Sequence, residues 1–306
     1  YLYLIVIMKY IVLVYQFAFP IHEAFLYELK ESFGISAEYI TTDEFLQKDF
    51  VSGTVFIFLV SYTVQKDNPE YLQKIRELKE DNSTIIFYND IELNMPDVYH
   101  KHIIKKDMYK LYDQIWSYDD SHRGLIEKLN VPFYYIPYGY SKYYESYTIE
   151  PPTEYKYDFV FFGRTSKYGG YRKTQLDIMR KAGLKIKILT DVYHDELIQE
   201  LLNAKIVLNI KSGENIIDLD FPRYSLLVGL NKFFITDTYN DKSGVEDKLK
   251  SMFVFAKDRK DMIRLAKEYL SKPDSELNEI TKKGYKQYKD NYSGFLNPLN
   301  DTNILL

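Results

Sequence analysis

The chain contains no cysteine, which excludes disulfides, thiolate metal sites and a thiol nucleophile. Glycine and proline are scarce, 13 and 10 in 306 residues, and no low-complexity tract occurs. Collagen-like, disordered and linker-dominated architectures are therefore excluded. Histidine is limited to five scattered copies. His100 and His102 flank Lys101 and would share a strand face, but no third ligand is adjacent, so they read as a solvated pair. No metal site is expected. Long apolar runs are also missing. The opening YLYLIVIM is eight residues before Lys9, too short to span a bilayer. No basic segment precedes it and no small-residue cleavage site follows. A start at Met8 would give MKYIVLVY, an ordinary first strand. The expectation is a soluble, cytoplasmic chain with no membrane span.

What is present is a globular balance, 46% apolar and 27% charged, on a length that suits two domains. Aromatics reach 17%, with 31 Tyr and 19 Phe. Sugar and nucleobase sites use aromatic faces, but so do cores, and the excess reads mostly as core. Charge is asymmetric: residues 1–150 carry 14 Lys and Arg against 22 Asp and Glu, a net of −8, and residues 151–306 carry 26 against 22, a net of +4. Only the second half could meet an anion favourably. Duplex DNA binding draws on Lys and Arg at phosphates, so DNA is not the expected partner of the first half.

Short apolar runs at 10–15, 54–60, 84–88, 114–117 and 132–136 alternate with helical patterns at 21–32, 69–80 and 121–129. This predicts a parallel sheet covered on both faces. In the first helix, Phe25, Leu26, Leu29 and Phe33 make one apolar stripe, and Glu28, Lys30 and Glu31 are expected to face water. The segment 137–156, polar, aromatic and carrying Pro151-Pro152, reads as a linker. The alternation then restarts, with strands at 157–163, 184–189, 205–210, 232–237 and 252–256. Helices follow at 171–182, 194–203, 222–230, 258–270 and 275–290. The prediction is α/β: two Rossmann-like domains facing a cleft, over 1–140 and 157–306 with a linker at 141–156. Ligands in such sheets bind beyond the carboxyl ends of the strands.

The strand–loop–helix segment FFGRTSKYGGYRKTQ (161–175) has Gly163 at the strand end and places Arg164, Lys167, Arg172 and Lys173 within ten residues. Free backbone N–H groups at a helix start, with cations beside them, suit a phosphate. A flexible loop with solvated charges is the alternative. In SGENIIDLDFPRYSLLVGLNKFFITD (212–237), Pro222 suits a first helical turn. Arg223 then sits where the helix dipole disfavours a cation. Either an anionic ligand compensates, or Arg223 pairs with Asp218 or Asp220. In the first half, Asn89, Asp90 and Glu92 follow a buried strand, where a general base would stand. His22 and Glu23 open the first helix, where Glu23 could simply complement the dipole. Asp119-Asp120 read as the N-cap of the helix that follows.

This layout resembles the two-domain nucleotide-sugar glycosyltransferases called GT-B, from residue 9 to about 292. The resemblance is carried by NVPFYYIPYGYSKYY (130–144), by YDFVFFGRTSKYGGYRKTQLDIMRKAGLKIKIL, by AKIVLNI with FPRYSLLVGLNKFFITD, and by the closing AKEYLSKPDSELNEITKKGYKQYKDNYS. Within the class it is similar to the CgeB-type, group 1-like glycosyltransferases. It is also similar to phage DNA β-glucosyltransferase, whose T-D-I-R-L segment NDIEL resembles. The resemblance implies a metal-independent glycosyltransferase with no cofactor and a nucleotide-diphosphate sugar as donor. The acceptor is unidentified, a glycan or small molecule in preference to DNA. It implies that Arg223, Arg172 and Arg164, with Gly163 and Lys173, hold the donor diphosphate, that Asp90 is the base, and that Glu23 and His22 lie near the sugar or acceptor. One departure stands out. The family's R-x-x-E places Leu226 where a Glu binds the ribose, and Asn231 where the pattern has Gly. Glu214, Asp218 or Asp220 would have to substitute, or the chain is a binding protein with a degenerate donor site. A sugar-nucleotide epimerase or hydrolase on the same fold is the other alternative.

Overall fold

The computed structural model describes residues 11–15, 20–32, 34–59, 68–89, 108–147, 152, 154–165, 170–216, 219–239 and 244–292. The chain forms two compact units that divide between Pro137 and Tyr138.

In the first unit, β1 (Ile11–Tyr15), β2 (Ala37–Thr41), β3 (Val55–Leu59), β4 (Thr84–Asn89), β5 (Gln114–Ser117) and β6 (Phe133–Tyr135) make one sheet in the order β2-β1-β3-β4-β5-β6. Every pairing is parallel. Residues of β3 are buried on both faces, which is why VFIFL reads as an unbroken apolar run. Alternate residues Val12, Val14, Phe56, Phe58, Ile85 and Phe87 meet one cluster. That cluster also takes Tyr71, Ile75 and Leu78, one stripe of helix Pro69–Glu80. Each such apolar side chain contributes roughly 1.5–3 kcal/mol by leaving water. The helix starts where expected, with Asn68 accepting from the N–H of Tyr71 and proline in its first turn.

Three expectations in this unit are corrected. The helix expected over 21–32 is α-helical only from Pro20 to Tyr27 and continues as a π-turn over Glu28–Ser32. The wider turn changes the angular phase of the residues that follow, and Glu28, expected in water, is buried, while Lys30 and Glu31 remain exposed. The helix expected over 121–129 is instead a 3-10 turn (Asp120–His122), one α-turn (Arg123–Ile126) and a second 3-10 turn (Glu127–Leu129), ending on left-handed Asn130. Asp119 caps it, accepting from Ser121 N–H at 2.9 Å. Strand β2 and the short helix Thr42–Gln47 behind it have no counterpart in the sequence reading. Thr41 and Glu44 close a reciprocal capping box there.

In the second unit, β7 (Tyr157–Phe162), β8 (Ile186–Leu189), β9 (Ala204–Asn209), β10 (Phe234–Asp237) and β11 (Val254–Ala256) form a parallel sheet in the order β11-β10-β9-β7-β8. The α-helices among the described residues of this unit, numbered on from the four described in the first unit (Pro20–Tyr27, Thr42–Gln47, Pro69–Glu80 and Arg123–Ile126), are α5 (Tyr171–Lys181), α6 (His194–Leu202), α7 (Phe221–Gly229), α8 (Val245–Lys250), α9 (Arg259–Leu270) and α10 (Asp274–Asn291). Of these, α8 is absent from the sequence reading. The chain moves outward from β7 to β8, then returns to β7's other side with β9. The gap between β7 and β9 is thus the topological switch point. Residues 138–147 belong to this unit. A 3-10 helix over Lys142–Tyr147 buries Tyr144, whose ring lies where a Cβ on Gly229 of α7 would fall. Helix α10 holds the same segment through Tyr288 Oη donating to Tyr138 O and Tyr285 Oη donating to Tyr140 Oη, both 2.8 Å.

Candidate functional site

The switch point of the second unit gathers its chemistry from four strand ends. Strand β7 delivers Phe161, Phe162 and then Gly163, whose φ is +114°. The Gly163 N–H is fixed by Leu189 O at the end of β8, 2.9 Å away. A Cβ here would overlap Nη2 of Arg223 and lie 3.7 Å from Nη1 of Arg172. Glycine is thus required twice, for its backbone conformation and for the space that two guanidinium groups use.

Arg172, in the first turn of α5, is buried, and its Nε donates to Ile210 O at 2.8 Å. Its Nη1 reaches Arg164 O at 3.4 Å. Arg223, in the first turn of α7, donates from Nη1 to Asn209 Oδ1 at 2.9 Å and lies 3.4 Å from the Asp220 carboxylate. Its guanidinium also covers the ring of Phe162, 4.8 Å from the centroid, and both guanidinium groups lie over Phe161, at 5.6 Å for Arg172 and 5.7 Å for Arg223. The two cations therefore share a ring and a glycine at the place where α/β sheets take ligands. The two readings of Arg223 from sequence are compatible: it pairs with Asp220 and also faces the strand-end site.

Asn209 has its orientation fixed. Its Nδ2 donates to Thr236 Oγ1 at 3.1 Å, which leaves Oδ1 for Arg223. Tyr224 Oη lies 3.4 Å from the same Thr236 Oγ1. Next on β10 is Asp237, 8% exposed. The N–H of Lys211 donates to its Oδ2 at 3.1 Å. Burial pushes the Asp237 carboxyl up to about 6, and the Lys211 N–H bond and the charges of Lys211, Arg172 and Arg259 oppose that rise. Tyr171, beside Arg172 in sequence, is pushed up to about 12, by burial first and then by the charges of Asp237 and Glu214.

The remaining sequence candidates are placed as follows. Lys173 is exposed and pairs with Asp177 one turn along α5, at 2.7 Å. Arg164 is exposed, with its side chain interacting with Tyr193 beyond β8. Lys167 and Asp218 lie outside the described residues, as do His100 and His102. Glu214 is exposed. Leu226 is buried within α7. Asn231 adopts φ +51°, a left-handed conformation that asparagine tolerates better than most residues.

In the first unit, His22 is buried with its ring edge-on to Tyr39, 6.3 Å between centroids. Glu23 is half-buried in the first turn of the opening helix. Asp90 and Glu92 lie outside the described residues. Asn89, the last residue of β4, is fully buried, and its Nδ2 lies 3.3 Å from His122 Nδ1, which is 2.8 Å from Ser117 Oγ. The sequence analysis gives no role to His122, Ser117, Asn209 or Asp237. Ser117, Asn209 and Asp237 each close an apolar strand with a polar residue, and Asp237 also stands in the FFITD segment that carries the resemblance. Among the described residues no group of three His, Asp or Glu is placed to hold a metal ion, and no helix is long and apolar enough to cross a membrane.

No protein-family model matches the chain, and no curated protein matches it in sequence. Solved structures do match. T4 phage BGT in complex with its UDP-glucose substrate superposes with a TM-score of 0.59 at 12% identity, over 94% of this chain and 96% of that one. The N-terminal domain of Candida albicans trehalose-6-phosphate phosphatase gives 0.56 at 10% identity, over 97% and 96%. OtsA without ligand gives 0.54 at 11% identity, over 92% and 96%. At these identities the likeness establishes the fold. The chain has a GT-B-like fold of two Rossmann-like domains.

Proposed function

We propose that this chain is a glycosyltransferase that takes its sugar from a nucleoside-diphosphate donor bound at the switch point of the second unit. The observation that carries the reading is the convergence of Arg172 and Arg223 on Gly163, at the carboxyl ends of β7 and β9. Two cations from different helix starts meet over one ring and one glycine at these strand ends, a placement of positive charge that suits a diphosphate. The solved structure of T4 phage BGT holds UDP-glucose on the same fold.

In the reaction proposed, an acceptor hydroxyl oxygen attacks the anomeric carbon and the bond from that carbon to the diphosphate oxygen breaks. Negative charge grows on the leaving diphosphate, where Arg172 and Arg223 stabilise it, doing the work a metal ion does elsewhere. The acceptor proton passes to a carboxylate of the first unit, and Asp90 is the residue proposed, with Glu23 and His22 on the acceptor side. The acceptor is a glycan or small molecule. The test is nucleotide release from UDP-, GDP- and ADP-glucose, with and without a panel of sugar acceptors, in the presence of EDTA. Acceptor-dependent release that survives EDTA is expected. Acceptor-independent release would make the protein a hydrolase, and release only with added metal would remove the metal-independent mechanism.

A second reading, a binding protein with a degenerate donor site, is favoured by one observation: buried Leu226 stands where the family's ribose-binding carboxylate would be. Nucleoside diphosphate binding without turnover of any donor would select it.

A further inference from the structure

Consecutive residues of β10 reach the two cations by two different relays across the end of β9. Thr236 takes one: its Oγ1 accepts from Asn209 Nδ2 at 3.1 Å, and Asn209 Oδ1 accepts from Arg223 Nη1 at 2.9 Å. Asp237 takes the other. Its Oδ2 accepts from the Lys211 N–H at 3.1 Å, and the carbonyl of that same peptide group, Ile210 O, accepts from Arg172 Nε at 2.8 Å. Successive strand residues face opposite ways. Phe234 stacks on Tyr224 of α7, and Ile235 shares a core with Leu176 and Met179 of α5. Thr236 continues the α7 face and Asp237 the α5 face.

The relays differ in charge. The one through Thr236 sets only neutral groups behind Arg223. The one through Asp237 sets a carboxylate and a guanidinium at the two ends of one peptide dipole, the C=O toward the cation and the N–H toward the anion, so both bonds are charge-assisted. Ile210, Arg172, Lys211 and Asp237 are all buried, where such bonds are stronger than in water. Lys211 Nζ donates to Thr238 O at 3.2 Å, tying the two strand ends together once more. Arg172, Lys211 and Arg259 of α9 also act on Asp237 through their charges, and Asp237 acts on Tyr171 of α5, Tyr224 of α7 and Tyr239 beyond β10. Guanidinium groups keep their charge, and burial raises all three phenols. Asp237 is the carboxyl of this group, and burial raises it to about 6. An anion fixed one peptide behind Arg172 opposes the arrival of a diphosphate, and a proton on that anion removes the opposition.

We propose that Asp237 is a positioning residue for Arg172, acting through the Ile210–Lys211 peptide, and that it takes up a proton when the donor diphosphate binds. The inference rests on the donor reading above. The proton comes from the buffer and forms an O–H on one carboxyl oxygen, while the other keeps the Lys211 N–H bond. Donor affinity therefore rises as pH falls.

The experiment is calorimetric titration of the wild-type protein, Asp237→Asn and Asp237→Leu with the best bound of UDP-, GDP- and ADP-glucose. It is run at pH 5, 6 and 7.5, each in two buffers of different ionisation enthalpy. These probes are esterified at both phosphates, so they lack the ionisation near pH 6 that a terminal phosphate shows. Thermal melts establish that each variant is folded. The wild-type protein is expected to bind about three- to tenfold more tightly at pH 5 than at pH 7.5, and to take up protons on binding near pH 6. Asp237→Asn keeps an acceptor for the Lys211 N–H but lacks the charge. It is expected to bind at pH 7.5 as tightly as the parent does at pH 5, with neither proton uptake nor pH dependence. Asp237→Leu lacks the acceptor as well, and is expected to bind about threefold or more weakly than Asp237→Asn at pH 7.5. Proton uptake unchanged in Asp237→Asn, or equal affinity in a folded Asp237→Leu and Asp237→Asn, would overturn the inference while leaving the donor site intact. Failure of the wild-type protein to bind any of the probes would remove the donor reading itself, and this inference with it.

Discussion

Arg223 and Gly163 use the same space: a Cβ on residue 163 would overlap Nη2 of Arg223. The strand that ends in Gly163 and the helix that begins near Arg223 are thereby fitted to one another at the switch point. Gly163→Ala should lower stability by about 1–3 kcal/mol, because φ is +114° and the cation must move. The same change should weaken nucleoside diphosphate binding. Chemical denaturation and titration measure the two effects, and full affinity in a folded Gly163→Ala protein would separate Arg223 from the ligand.

Asp237 gives a pH-dependent signature. Its carboxyl is raised from 3.8 to about 6 in the folded chain, so the folded state binds the extra proton between those values. Stability contributed by the protonated form is present in acid and is lost as pH climbs towards and through about 6. Asp237→Asn should therefore gain about 1–3 kcal/mol at pH 7.5 and nothing near pH 3.5, as measured by denaturant unfolding across that range. An equal change at both ends would place its cause elsewhere.

Lys232 shows the opposite slope. It is 7% exposed and donates from Nζ to Leu202 O at 3.0 Å. Burial pushes its amine down to about 7, against the raising effect of Asp274. Between that value and the ordinary 10.5 the unfolded chain holds the extra proton, so stability rises with pH across the window. Lys232→Met should stabilise the protein at pH 6 by about 1–3 kcal/mol, with the gain shrinking to nothing by pH 10. A pH-independent difference would show that the amine stays charged.

Asp90→Asn separates a base from a loop cap. As the base of an inverting transfer, Asp90 is needed for turnover and not for the fold. Donor affinity should survive while transfer falls by about 10² to 10⁴. Transfer at the parent rate would leave a retaining mechanism or another base.

Much of the fold could be read from sequence because most strands are buried on both faces. TIIFYN and KIVLN stand out as apolar runs, and both are strands in the structure. Strand β2, AEYIT, was invisible because it lies at the sheet edge and only Ala37 and Ile40 of its five residues are buried. The candidate site was half legible. Arg172 and Arg223 follow strands in the chain, so connectivity alone marks them. Asn209 and Asp237 join that pair only through the lateral order of β10, β9 and β7, which the one-dimensional pattern does not carry. Lys173 misled for a local reason: Asp177 stands one helical turn away and takes its charge.

Calorimetric titration of nucleoside diphosphates into the wild-type protein and Arg223→Ala tests the central claim most directly. The wild-type chain should bind at least one of UDP, GDP and ADP, and Arg223→Ala should weaken that binding by roughly 10- to 150-fold, the loss of one charge-assisted contact of about 1.5–3 kcal/mol. Absence of binding to all three, or equal affinity in the two proteins, would contradict a donor site at the switch point of the second unit.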